Sequence, residues 1–266
     1  MKQHPFHALL LLVLLAAPPG LAAQNNGVIH LITSIDAVNS DISAGCQRDY
    51  ELATELFGEA AHLAGMSLKP YNLHFDQRQV RNFIDDFRCE SNDVVIFLYS
   101  GHGFSYDEDG DQWPWPYLYC CDRNAGLSEE SCEVDLEDDV YNVLVNKGAR
   151  MTLVLGNSCN DPLTSTQSNA NAYPYEEAQY EHNHYLKGDL FARFAGNILA
   201  SACSKNQGSY TNIEEGSYFV VELARFIIAG LESDEPGCWE GILEKTQASV
   251  RDLTNGRQVP QFRIRY

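Results

Sequence analysis

Residues 93–103 read Asp-Val-Val-Ile-Phe-Leu-Tyr-Ser-Gly-His-Gly, and residues 151–160 read Met-Thr-Leu-Val-Leu-Gly-Asn-Ser-Cys-Asn. In each stretch a short, continuous apolar run leads into a small polar segment carrying one reactive side chain, His102 in the first and Cys159 in the second. A strand that alternates apolar and polar residues has one wet face, whereas a strand apolar throughout is buried on both, as in a parallel sheet covered by helices. Working outward, residues 27–32 (Gly-Val-Ile-His-Leu-Ile) repeat the buried-strand pattern. Leu52, Leu56, Ala60 and Leu63 fall at helical spacing within 49–63, and Gly65 is placed as a terminator. Val140, Val143 and Leu144 repeat that spacing after the acidic pair Asp138-Asp139, which reads as a cap, and Gly148 ends the run. Order continues through 190–195, a strand-like 197–202, helices over 218–231 and 239–253, and a final strand over 258–266. The alternation predicts an α/β domain, a three-layer sandwich with a mostly parallel central sheet and helices on both faces.

The first residues have a different character. Met1-Lys2, an apolar run over 8–16, Pro18-Pro19-Gly20 and Leu21-Ala22-Ala23 form a charged start, a run too short to span a bilayer and a small-residue end. That is the pattern of a secretory signal peptide over 1–23, leaving 24–266 as the folded unit in a secreted or periplasmic setting. In an oxidising compartment disulfides are the default for the eight cysteines. With one thiol kept for chemistry, at most three bridges form. No Cys-x-x-Cys pair has a matching His or second pair, so no structural metal site is expected.

The chain carries 18 Lys+Arg against 37 Asp+Glu, a net charge of −19. No broad cationic field exists to hold a phosphate backbone, which excludes general nucleic-acid binding. After residue 23 no apolar run reaches the ~18 to 20 residues of a membrane span. Residues 160–188 lose all periodicity over a length far beyond the usual ~4 to 6 residues of a connection, which marks a functional or cleavable loop.

In open parallel sheets reacting groups sit where strands end at their carboxyl tips. That rule selects 99–103 and 155–160, with His102 preceding Cys159 by 57 residues. Sulfur is a strong nucleophile as a thiolate, and an imidazole can take the thiol proton and later return it to a leaving amine. Gly103 lets the backbone approach a substrate carbonyl, so its N–H and that of Cys159 form a candidate oxyanion hole. Taken singly, a His after a strand is more often a satisfied polar group, and a Cys in an exported protein half of a disulfide. Taken together, at the tips of two buried strands, they favour chemistry.

These residues resemble the caspase and metacaspase class of cysteine peptidases. The run 94–103 with Ser-Gly-His-Gly and the strand ending Ser-Cys159-Asn carry the likeness; Ala44-Gly45-Cys46-Gln47-Arg48-Asp49 and Gly216-Ser217-Tyr218-Phe219 agree with it. The resemblance spans about 27–264 and implies a caspase-like fold, a peptide or protein substrate, His102 as general base and Cys159 as nucleophile, acting as a dyad with no third orienting acid. It also implies Asp49 as a carboxylate under the pocket for the residue before the scissile bond, favouring Arg or Lys; as a bare residue, Asp49 reads equally as a helix N-cap. The family often has a second Asp where this chain has Asn157, a neutral amide. The reaction needs no cofactor. Calcium enters because some metacaspases are calcium-activated and because residues 107–139 hold twelve carboxylates and one Arg. Asp138 and Asp139 are the candidate ligands, but the run 107–111 lacks EF-hand spacing, and a solvated acidic loop is the preferred reading. The aromatic series Trp113, Trp115, Tyr117 and Tyr119 fits a cleft wall or a half-buried strand equally. Proteolytic processing, if any, is expected in 160–188, after Lys187. The competing functional reading is a catalytically inactive caspase-like module that binds a peptide or protein.

Overall fold

Five parallel strands and one antiparallel strand form the central sheet of the computed structural model, which describes residues 27–106, 114–162, 189–233 and 238–266. The signal-peptide assignment, the acidic run 107–111, Trp113 and the expected cleavage after Lys187 lie outside the described residues.

The chain runs β1 (Val28–Ile35), α1 (Ser43–Leu63), β2 (Ser67–Leu73), α2 (Gln77–Asp86), β3 (Val94–Ser100), then three short strands, β4 (Gly103–Phe104), β5 (Tyr117–Tyr119) and β6 (Glu133–Asp135). A π-helical turn (Leu136–Tyr141) continues into α3 (Asn142–Val145) and β7 (Met151–Asn157). After α4 (Asp189–Ala192) come β8 (Gly196–Ser201), a small ribbon of β9 (Thr211–Asn212) and β10 (Gly216–Ser217), α5 (Tyr218–Glu232), α6 (Trp239–Leu253) and β11 (Gln261–Arg265). The sheet order is β11-β8-β7-β3-β1-β2, with β11 the antiparallel member.

Two-residue periodicity divides the core into its two layers. Val94, Ile96 and Leu98 of β3, with Leu153 and Leu155 of β7, face α1, α5 and α6 through Leu56, Phe57, Leu223, Ile227, Trp239 and Leu243. Val95, Phe97 and Tyr99, with Val154 and Leu199, face α2, the π-helical turn and the small sheet through Val80, Ile84, Leu118, Val134 and Val140. All seven residues of β3 and of β7 are buried, as their uninterrupted apolarity predicts. Each such aliphatic side chain stabilises the fold by roughly 1.5–3 kcal/mol on leaving water.

Three elements differ from the sequence expectation. Helix α1 begins at Ser43, six residues before Asp49, so Asp49 is an interior residue of the helix and not its cap. Ala44-Gly45-Cys46 give no amphipathic signal there, since all three are small; Gly45 and Cys46 are buried, and a Cβ on Gly45 would lie 2.3 Å from Thr211 Oγ1. The cap of the π-helical turn is Asp135, whose carboxylate accepts from the Glu137 and Asp138 N–H groups, which places Asp138 and Asp139 in the first turn. Strand β2 is an edge strand whose residues are exposed or half-buried, and Pro70 within it hides the strand pattern.

Cys121 and Cys132 form a disulfide across the β5–β6 connection, with a sequence separation of 11. Among the described residues Cys46, Cys89, Cys120, Cys159, Cys203 and Cys238 are free. Closing a loop of this size removes unfolded-chain entropy worth about 3 kcal/mol. The double substitution Cys121→Ala, Cys132→Ala is therefore expected to lower the urea-unfolding free energy by about that amount; an unchanged midpoint would show that β5 and β6 hold the loop unaided.

Candidate active site

Strands β3 and β7 are hydrogen-bonded neighbours whose register pairs Ser100 with Asn157. His102 and Cys159 each follow that matched pair by two residues, and the Gly101 N–H donates to Asn157 O at 3.1 Å just past it. Parallel strands lie about 4.8 Å apart, so the register alone brings the two segments side by side. Contact between them is direct: a Cβ on Gly103 would sit 2.4 Å from Ser158 Oγ and 2.8 Å from the Cys159 carbonyl oxygen. Only a residue without a side chain fits.

Gly103 has a second consequence. The Tyr119 N–H donates to His102 O at 3.0 Å, and Gly103 pairs with Leu118. In an antiparallel ladder that pattern makes Gly103 and Leu118 a non-hydrogen-bonded pair, so the Gly103 N–H turns away from β5. It is left as a donor outside the ladder.

His102 is 7% exposed. The Tyr99 hydroxyl donates to its carbonyl at 2.6 Å and fixes its backbone. Its Nε2 faces the carboxylate of Asp41, 3.3 Å from Oδ2 and 3.4 Å from Oδ1. Burial holds the imidazole below its ordinary pKa; Asp41 and Asp36 pull it up, and Arg123 pushes it down. Cys159 receives the Ser209 N–H on its sulfur at 3.3 Å. Burial raises the thiol above its ordinary value, with Asp161 adding to the rise, while the Ser209 N–H and Arg123 oppose it. Burial thus acts against the charged form of both groups, and the Arg123 charge acts on both.

Asp49 lies beneath this pair, 1% exposed. Its Oδ2 accepts from Ser100 Oγ at 2.6 Å and Asn157 Nδ2 at 2.9 Å; its Oδ1 accepts from the Ser217 N–H at 2.8 Å and Ser217 Oγ at 3.1 Å. Asn157 extends the network, its Oδ1 accepting from Ser209 Oγ at 3.3 Å. The two residues expected to bind substrate are thus joined to each other, and through Ser209 to the Cys159 sulfur. Sequence reading quoted Ser217 only within the Gly216-Ser217-Tyr218-Phe219 stretch and gave no role to Ser100, Ser209, Asp41 or Arg123. Ser100 had a readable signal, since it lies two residues before the histidine in the same motif.

The calcium candidates are engaged otherwise. Asp139 binds Arg81 at 2.6 Å and the Asp135 N–H at 2.9 Å, while Asp138 accepts from Asn142 Nδ2 at 2.8 Å. These residues do not form a ligand shell, and among the described residues no group of three or more His, Cys, Asp or Glu side chains could hold a metal ion. Trp115 is buried under the Arg263 guanidinium, and Tyr117 and Tyr119 lie half-buried on β5. Among the described residues no helix is long and apolar enough to cross a membrane.

A six-stranded, mostly parallel sheet with a histidine and a cysteine at neighbouring strand tips defines the caspase-like class of cysteine peptidase folds. The sequence profile of the caspase domain matches residues 38–265, and the chain belongs to that family. Among solved structures it is similar to caspase-1 from Spodoptera frugiperda, with a TM-score of 0.53 and 13% identity over 89% of this chain and 85% of that one. No curated protein matches it.

The Asp49 carboxyl is pushed up to about 6, chiefly by burial and against its hydrogen bonds. A carboxyl raised in the folded state binds its proton more tightly than in the unfolded chain. Its stabilising contribution is full below pH ~4 and lost as pH rises through ~6, on the order of 3 kcal/mol. The unfolding free energy of the wild type minus that of Asp49→Asn is expected to fall across that window. A difference that stays flat would show that the proton is held elsewhere.

Proposed function

We propose that the protein is an exported cysteine endopeptidase that cleaves peptide bonds through Cys159 and His102, with preference for Arg or Lys before the scissile bond. The observation that carries this reading is the close packing of the His102-Gly103 tip against the Ser158-Cys159 tip, closed enough to forbid a Cβ at 103. Support comes from two groups of complementary chemistry carried on adjoining strand tips, beside a backbone N–H not used by the small sheet.

The chemistry follows from that placement. His102 takes the thiol proton as the Cys159 sulfur attacks the substrate carbonyl carbon, which avoids forming a free thiolate in a buried setting that disfavours it. The carbonyl oxygen becomes an oxyanion and meets the N–H groups of Gly103 and Cys159. Collapse of this intermediate breaks the C–N bond, the imidazolium gives its proton to the leaving amine, and a thioester remains on Cys159. Water, deprotonated by His102, then attacks the thioester; the acid product departs and the thiol is restored.

Basic preference rests on Asp49. The donors to its carboxylate, Ser100, Asn157 and Ser217, are neutral, so its ionised charge is solvated by dipoles. Buried beneath Asn157, it acts on a substrate side chain through its field more than by contact. Export rests on the pattern of residues 1–23. The inactive-module alternative predicts a Cys159 that is disulfide-bonded or unreactive; it carries no disulfide, and its reactivity is the measurement that separates the two readings.

Cys159→Ala and His102→Ala are each expected to lower hydrolysis of fluorogenic peptides by at least a thousandfold with thermal unfolding nearly unchanged. Turnover retained in either variant removes the mechanism, and a native protein that does not label with a thiol-reactive acyl probe favours the binding module.

A second expectation concerns pH. Asp49 carries its charge above pH ~6 and loses it below, so the kcat/KM ratio of Arg over Gln peptides is expected to shrink as pH falls from 7.5 to about 5, and to be flat in Asp49→Asn. A ratio independent of pH in the wild type would assign the preference to another group.

A further inference from the structure

We propose that Asp41 is a positioning residue for His102, its carboxylate holding the imidazole by Nε2 so that Nδ1 is the nitrogen presented to Cys159. The inference deepens the peptidase reading and rests on it for the role of His102 as base.

The geometry is specific. Both carboxylate oxygens of Asp41 lie within reach of the same ring nitrogen, at 3.3 and 3.4 Å, so in the neutral imidazole the proton belongs on Nε2, shared between them. A neutral ring with its proton on Nε2 has its lone pair on Nδ1, the only form in which that nitrogen can accept the Cys159 proton. Left without a partner at Nε2, the ring would exchange between tautomers and lose the accepting form for part of the time.

Asp41 is 60% exposed at its side chain, which on its own would make a weak and mobile partner. The loop that carries it is not mobile in this way. Asp36, fully buried, accepts the Val38 and Asn39 N–H groups at 3.1 and 2.9 Å and Asn39 Nδ2 at 2.8 Å. Asn39 in turn donates to the Cys121 carbonyl at 3.1 Å and accepts from the Arg123 N–H at 3.0 Å. The Ile42 and Ser43 N–H groups close the turn back onto Asn39 O at 3.2 and 3.0 Å. Residues 36–43 are thereby fixed to the far side of the cleft, and Asp41 projects from a held turn. The charges facing His102 are Asp41 from this turn, Asp36 from the end of β1 and Arg123 beyond β5. Removing Asp41 leaves the nearer carboxylate gone and the guanidinium in place.

The test has two readouts on the full chain. In uniformly 15N-labelled protein, long-range imidazole correlations, with the His102 signals assigned by their loss in His102→Ala, are expected to show the Nε2–H tautomer. Asp41→Ala is expected to mix the tautomers and move the His102 titration to lower pH, because an anion has been removed and burial and Arg123 remain. In kinetics, Asp41→Ala is expected to reduce kcat about two- to fivefold, the scale of an exposed carboxylate, with KM little changed. Its acid limb of kcat/KM should move to lower pH in step with the titration. Asp41→Glu should restore part of both. An Nδ1–H tautomer in the wild type, or a tautomer and titration unaffected by Asp41→Ala, overturns the proposal. A fall in kcat with an unmoved acid limb also overturns it, since that is the mark of a merely structural loss. Should Cys159→Ala and His102→Ala leave hydrolysis intact, the peptidase reading fails while the tautomer measurement still decides the role of Asp41.

Discussion

Four hydrogen bonds converge on the buried carboxylate of Asp49, and they come from three different parts of the fold: Ser100 at the end of β3, Asn157 at the end of β7 and Ser217 at the start of α5. Asp49 itself belongs to α1. One side chain therefore joins the helix that covers the sheet to both strand tips that carry the reactive residues and to the helix that follows the β9–β10 ribbon. Isolated buried carboxylates are costly, and this one is retained because each lone pair has a donor. Its raised pKa has the opposite origin: burial pushes it up, and the hydrogen bonds from these neutral donors oppose the rise without cancelling it.

From that anchor the electrostatics of the cleft can be followed outward. Asn157 passes the network to Ser209, and Ser209 places its N–H on the Cys159 sulfur. On the other side, Asp36 and Asn39 hold the turn that faces His102. The cleft lies between an acid that is buried and satisfied and an acid that is exposed and held by its turn. Neither makes an ion pair with Cys159. Burial disfavours the charged form of both His102 and Cys159, which under the proposed mechanism favours a proton transfer coupled to attack over a preformed ion pair.

The parts of this arrangement that were legible in the sequence are those with a strong local pattern. Strands β3 and β7 announced themselves because both faces are buried, and the reactive residues because they stand where such strands stop. Helix α6 was readable over its full length, Trp239–Leu253. What escaped was set by partners distant in sequence. In the first turn of α1 Gly45 packs against Thr211, and nothing in Ala44-Gly45-Cys46 signals that neighbour. Edge strand β2 lacks the apolar run because it lacks a second neighbour. Asp41 reads as an ordinary loop acid, and its contact with His102 exists only because the turn before α1 is tied to residues some 80 positions later, at 3.1 Å and 3.0 Å.

The two ends of the sheet make a further contrast. At the amino ends of the strands, His30 lies between Tyr71 OH at 3.1 Å and Asp93 at 3.0 Å, and Asp93 also accepts from the N–H groups of Val28 and Glu90. That cluster is satisfied and joins β1 and β2 to the turn before β3, as a structural network should. At the carboxyl ends Ser158 Oγ, Asn160 Oδ1 and Thr211 Oγ1 are buried with no hydrogen-bond partner. Ser34 and Thr152 share that condition elsewhere in the sheet, so the lack of a partner does not by itself mark a site. Ser158 differs because its hydroxyl fills the space a Cβ at Gly103 would need, next to the Cys159 carbonyl. The amino end of the sheet is thus held by a hydrogen-bonded side-chain network and the carboxyl end by close backbone packing, where the Gly103 tip meets the Ser158-Cys159 tip.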